Sequence, residues 1–138
     1  GGPVIQAESR LWVQEHGPVT HAEPAFTHAG NLACRFVIHA VGPVWGEGDE
    51  DEKLRAAIHG SLHLADQLGV VSIAFPALSA GIFGYPKGRA AQVIITGILD
   101  FIEQTPSSSL KLIRLVLFDQ GTLKIFLKVW EQDDHFRS

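Results

Sequence analysis

One cysteine, Cys34, and no methionine occur among the 138 residues. A lone cysteine closes no intrachain disulfide, so the fold rests on its core, and a reducing compartment, the cytoplasm, is the expected setting. Cys34 itself is expected to be a small buried thiol. The chain opens without the charged and apolar pattern of a targeting segment, and the missing methionine points to a processed chain or a fragment. No apolar run approaches the roughly 18 residues that a membrane span needs, so no membrane partner is expected.

Positive charge is also in short supply. Eleven Lys and Arg stand against fifteen Asp and Glu, a formal net charge of −4. That balance opposes a surface built to neutralise the many phosphates of a nucleic acid. A small anion held by backbone amides stays compatible with it. Seven histidines are present, and His59 and His63 share a helix face at i, i+4. The intervening residues lack the glutamate of a zinc-protease helix and no third ligand is placed, so no metal and no cofactor are expected.

What is there is an alternation of helices and strands within a single domain spanning residues 1–138. A helix is expected over Pro3–His16, with Val4, Ala7, Leu11 and Trp12 on one face. Val19–Thr27, broken by Pro24, reads as an edge strand, because proline cannot donate to a ladder. Arg35–Val41 reads as a buried strand ended by Gly42 and Pro43. The acidic tract at 46–52 leads into a helix along Leu54, Ile58, Leu62, Ala65 and Leu68, stopped by Gly69. Val70–Pro76 has the near-continuous apolar character of a strand covered on both faces. A helix beginning near Pro86 carries Ala90, Val93, Ile94, Gly97, Ile98 and Phe101 inward. Leu112–Leu117 is the last strand, Leu123, Phe126, Leu127 and Trp130 mark the last helix, and the tail from 133 to 138 is expected to fray.

The loop Leu78–Gly84 follows the carboxyl end of the Val70–Pro76 strand, the position at which open α/β sheets bind ligands. Gly81 and Gly84 permit a sharp turn and a close approach, and successive free amides can cradle phosphate oxygens without a lysine or arginine. Spacing alone favours a plain turn, and neither GxGxxG nor GxxxxGK[ST] is present. Phe118 and Asp119 lie where the last strand ends. Phe118 either stacks on a base or fills the core, and Asp119 either accepts hydrogen bonds from a ligand or caps the next helix. His39, inside an apolar strand, reads as a hydrogen-bonded core residue. Ser79 is the one serine expected to act on a ligand, through its hydroxyl or its amide. No nucleophile, base and acid set stands out.

The segments FVIHAVGPVW, SIAFPALSAGIFGYP and LIRLVLFD, in that order, resemble the macro domain family, and the likeness runs from Gly2 to Glu131. The resemblance implies a three-layer α/β/α sandwich with a mixed, partly parallel sheet. It implies recognition of ADP-ribose, free or attached to protein, with Ser79, Ala80, Gly81, Ile82 and Phe83 wrapping the diphosphate and distal ribose. Phe118 corresponds to the family's aromatic position against adenine, with Asp119 beside it. Family members begin with two further strands, a Gly-Asp pair that reads the adenine amine, an Asn-Ala-Asn segment and a glycine-rich first loop, and none of these precedes Gly1. The domain is therefore expected to be truncated at its amino terminus and to bind without catalysing. Removal of ADP-ribose or of its 1''-phosphate is the second reading, and a ligand-free dimerisation scaffold the third. One absent strand would lie between Arg35–Val41 and Val70–Pro76. The gap is expected to close by direct pairing, to borrow a strand, or to leave an exposed edge through which the chain self-associates.

Overall fold

A computed structural model describes residues 3–30, 32, 34–81 and 83–132. The elements are α1 (Pro3–His16), β1 (Ala25–His28), β2 (Phe36–His39), α2 (Glu50–Gln67), β3 (Ser72–Phe75), α3 (Lys87–Gln104), β4 (Leu112–Leu115) and α4 (Gln120–Gln132). β1 and β2 pair antiparallel, with Ala25 opposite His39, and β3 and β4 pair parallel, with Ser72 opposite Leu112. The arrangement is an α/β sandwich with mixed strand pairing, in which the strands form two separate two-stranded ladders. The expected fray at 133–138 lies outside the described residues.

Local chemistry accounts for the element ends. β1 starts directly after Pro24, later than the Val19 start expected, because proline offers no ladder donor. Glu50, Asp51 and Glu52 occupy the first turn of α2, where carboxylates complement the helix dipole, and Gly69 takes φ +71° just past its end. α3 turns Ala90, Val93, Ile94, Gly97, Ile98 and Phe101 inward as its periodicity requires.

The core joins Leu54, Ile58 and Leu62 of α2, Phe75 of β3, the α3 stripe and Phe126 of α4. Four expectations are corrected by it. β3 is not covered on both faces: Ile73 and Phe75 face the core while Ser72 and Ala74 are exposed, and Val71 just before them is 61% exposed. β2 is half-buried throughout rather than buried, since only β1 pairs with it. Cys34, just ahead of β2, is exposed. In α4 the inward face is Thr122, Ile125, Phe126 and Val129, while Leu123, Leu127 and Trp130 are exposed. The Asp119 cap, which holds Thr122, sets that rotation.

α1 forms over its expected range but buries no residue. Trp12 meets Phe26 of β1 edge-on at 5.2 Å, and Glu8 accepts the backbone N–H of His28 at 2.7 Å. His39 Nε2 and Thr27 Oγ1 are hydrogen-bonded at 2.9 Å, and burial holds the imidazole below its ordinary pKa, in line with the core reading. The exposed rings of His59 and His63 stack with centroids 6.4 Å apart, and no group of three or more metal-ligating side chains occurs among the described residues.

Candidate functional site

The loops that follow β2, β3 and β4 leave the strands at one end of the molecule. β3 and β4 are parallel, and the Val116 amide donates to the Phe75 carbonyl at 2.7 Å. The Trp45 amide donates to the Phe83 carbonyl at 2.9 Å, which ties the segment after β2 to the loop after β3. Gly42 makes this junction close. A Cβ at position 42 would overlap the Ser79 hydroxyl and lie 3.1 Å from Leu78 Cγ, so only glycine fits.

The loop 77–85 is held by its own backbone. Ala80 N–H donates to Ala77 O, Gly84 N–H to Gly81 O and Tyr85 N–H to Ser79 O, at 3.0 to 3.1 Å. The amides of Ser79, Gly81 and Phe83 donate to no acceptor among the described residues. The free N–H groups alternate with the spent Ala80 amide rather than running in succession as expected, and each remains a donor that a small anion can use. Ala80 is buried, Gly81 is exposed with open space where a Cβ would stand, and Phe83 is half-buried. Ile82 lies outside the described residues.

Ser79 is strained in two ways. It takes φ +66°, and its hydroxyl is buried without a hydrogen-bond partner. Left-handed backbone costs a non-glycine residue about 1–3 kcal/mol and an orphaned hydroxyl costs a similar amount. Ser79→Gly removes both and adds unfolded-state entropy of about 0.5–1 kcal/mol. The variant should gain about 1–5 kcal/mol in urea unfolding, with Ser79→Ala showing the hydroxyl part alone. A less stable Ser79→Gly would mean that the hydroxyl is satisfied in solution.

Phe118 is 91% exposed, which removes the core reading and leaves a bare aromatic face at the sheet end. Asp119 takes the capping role, with Oδ1 accepting the Thr122 amide at 2.7 Å and Oδ2 the Thr122 hydroxyl at 2.9 Å. Those two donors hold its carboxyl below the usual range, and Lys87 at the start of α3 adds to the effect.

A network that the residue pattern did not single out braces the loops. The buried Tyr85 hydroxyl donates to Asp51 Oδ1 of α2, and Arg89 Nε donates to both Asp51 oxygens at 3.0 and 2.9 Å. Arg89 also lies 5.4 Å from the Trp45 ring centroid, and Trp45 and Tyr85 rings are 5.0 Å apart. Arg89 and then Tyr85 hold the Asp51 carboxyl below its usual range, while burial and then Asp51 push the Tyr85 hydroxyl up. A clue was present: an arginine in the first turn of a helix opposes the dipole and so calls for a nearby carboxylate.

The family model for the macro domain matches residues 1–94. Over 131 residues the chain is 38% identical to an O-acetyl-ADP-ribose deacetylase of Pantoea vagans, across 94% of this chain and 75% of that protein. It is 48% identical over 128 residues to a Thermotoga maritima protein, spanning 91% of this chain but 21% of the relative. Among solved structures, a variant of the Oceanobacillus iheyensis macrodomain with ADPR superposes at a TM-score of 0.85 and 27% identity, over 94% of this chain and 71% of the other.

Proposed function

Since the chain belongs to the macro domain family, we propose that it is a module that binds ADP-ribose, free or attached to protein. The observation that carries this reading is the loop after β3, with the amides of Ser79, Gly81 and Phe83 unspent in a protein of net charge −4. The diphosphate and distal ribose rest on Ser79, Ala80, Gly81, Ile82 and Phe83, and the adenosine side lies against Phe118 and Asp119. Backbone donors bind a dianion without a lysine or arginine in contact with it, and the exposed Phe118 ring offers a flat apolar face to a purine.

Gly81→Glu tests the loop cleanly. Space is open at its Cβ position, and no positive φ restricts it. The fold should therefore be unaffected, while a carboxylate enters the anion site. Calorimetric titration with ADP-ribose should show affinity weakened by at least about tenfold against the parent, with an unchanged melting temperature. Equal affinity would remove the diphosphate from this loop.

The relative named as a deacetylase favours hydrolysis of an ADP-ribose ester as the second reading. Against it, the described site residues present no nucleophile hydrogen-bonded to a base, and the Ser79 hydroxyl has no partner. Acetate release from O-acetyl-ADP-ribose, lost in Gly81→Glu, would establish it.

A further inference from the structure

Six of the seven histidines fall among the described residues, and four of these spend a ring nitrogen on the fold. His16, His21 and His28 each donate through Nδ1, to Trp12 O at 3.2 Å, Val41 O at 2.5 Å and Glu8 Oε1 at 3.2 Å, and His39 Nε2 is hydrogen-bonded to Thr27 Oγ1 at 2.9 Å. His59 and His63 are the two left over. Neither ring makes a hydrogen bond or an ion pair with another described residue. Their contacts are with each other, planes 7° from parallel, and between His59 and Phe101 edge-on at 6.2 Å. The burial of Leu54, Ile58 and Leu62 fixes the rotation of α2, and it sets both imidazoles one turn apart on the exposed side.

We propose that His59 and His63 form a two-histidine site for a late first-row divalent cation, zinc in a reducing setting, with water in the remaining positions. Imidazole suits this class of ion, whereas magnesium and calcium ask for oxygen ligands. A closed structural zinc site takes four protein ligands and a catalytic one three. The lack of a third ligand among the described residues excludes both of those and leaves an open, exchangeable site. Since nothing holds either exposed ring, each can turn a nitrogen to within about 2.0–2.1 Å of one ion.

The surroundings favour a cation. Asp66 follows His63 by three residues, and its Oδ1 accepts the Ser108 hydroxyl at 2.8 Å and the Ser109 amide at 3.0 Å. Those donors hold its carboxyl below the usual range, and His63 lies within reach of its charge. Arg55, one turn ahead of His59, acts on Asp51 instead. A bound ion spans two turns of α2 and meets its two ligands together only where the helix is formed. Binding therefore stabilises the folded chain by mass action. His59 stands about 12 Å along α2 from Asp51, so the site is separate from the loop 77–85 and does not rest on the ADP-ribose reading.

The test uses the whole chain, untagged and freed of metal by a chelator, with zinc chloride as the probe. Calorimetric titration should give one ion per chain, and the imidazole resonances of His59 and His63 should shift while those of His16 and His39 stay. His59→Ala and His63→Ala should each weaken binding by more than the roughly tenfold that loss of an outer partner of a metal ligand costs. Gln67, at the end of α2, is also exposed and allows the pair to be moved. His59→Ala combined with Gln67→His sets an imidazole four residues beyond His63 and should restore binding. His63→Ala combined with Gln67→His keeps the same histidine count but separates the rings by two turns, about 12 Å, and should not. All substituted side chains are exposed, so circular dichroism in chelator should match the parent throughout. Undiminished binding in His59→Ala, equal recovery in both rearranged variants, or one ion per two chains would each overturn the proposal.

Discussion

Gly60→Val should lower the melting temperature by roughly 10 °C. Gly60 is buried in α2, and a Cβ there would overlap the Ala22 carbonyl oxygen and stand 2.9 Å from Pro24 Cδ. Neither neighbour is the end of a flexible side chain, so the helix and the segment before β1 must part. Helix propensity works the other way: leaving glycine favours the helix by up to about 1 kcal/mol, less for a β-branched residue. Overpacking against backbone costs more than that gain, and valine adds two further methyl groups, for a net loss of about 3 kcal/mol. In a chain of this length each kcal/mol moves the midpoint by about 3–4 °C. Gly60→Ala should fall between parent and Gly60→Val in a calorimetric scan. An unchanged midpoint in both would show that residues 22–24 do not rest on α2.

Asp51→Ala should loosen the candidate site from behind. It leaves the Tyr85 hydroxyl, on a side chain only 1% exposed, without its acceptor. The cost of that orphan is about 1–3 kcal/mol. The Arg89 pair adds little to stability, because the Asp51 side chain is 37% exposed and water screens it. Its larger effect is on position, since a freed Arg89 no longer lies over Trp45. ADP-ribose affinity should fall on the order of tenfold, and Asp51→Asn, which keeps an acceptor for Tyr85 but no charge for Arg89, separates the two roles. Acid titration gives the sign. Because the folded carboxyl is held below its unfolded value, its contribution is complete above the ordinary carboxylate range near pH 4 and is lost as pH falls through the lowered value. The acid limb of stability should be shallower in Asp51→Asn than in the parent. Parallel limbs would show that the pair is not formed.

Where periodicity and punctuation carry the information, the fold was legible. The α1 range, the α3 stripe and the Gly69 stop emerge as expected because each depends on neighbours in sequence. Burial of β2 and β3 was not, because an apolar run records what a strand is suited to and not whether a second layer or a next strand covers it. The α4 face was misjudged because the choice between the Leu123 and Ile125 rows depends on the Asp119 cap. At the candidate site, the glycine-bearing loop and Phe118 are singled out by residue type alone. The brace of Asp51, Tyr85, Arg89 and Trp45 is not, since its members are drawn together only when α2 and α3 pack.

The division of the strands into two ladders has a consequence for cooperativity. The main buried cluster draws on α2, β3, α3 and α4 and takes nothing from α1, β1 or β2. The amino-terminal part is therefore expected to open as a unit of its own, joined to the rest by the Gly60 contact and the loop junction at Gly42. Its amides are expected to exchange with solvent by local opening, well before those of α3. The junction borders the candidate site, so under the ADP-ribose reading a ligand that grips it would act as a staple between the two parts. Occupancy then merges two opening events into one, and protection from exchange rises most in the part of the chain that the ligand touches least.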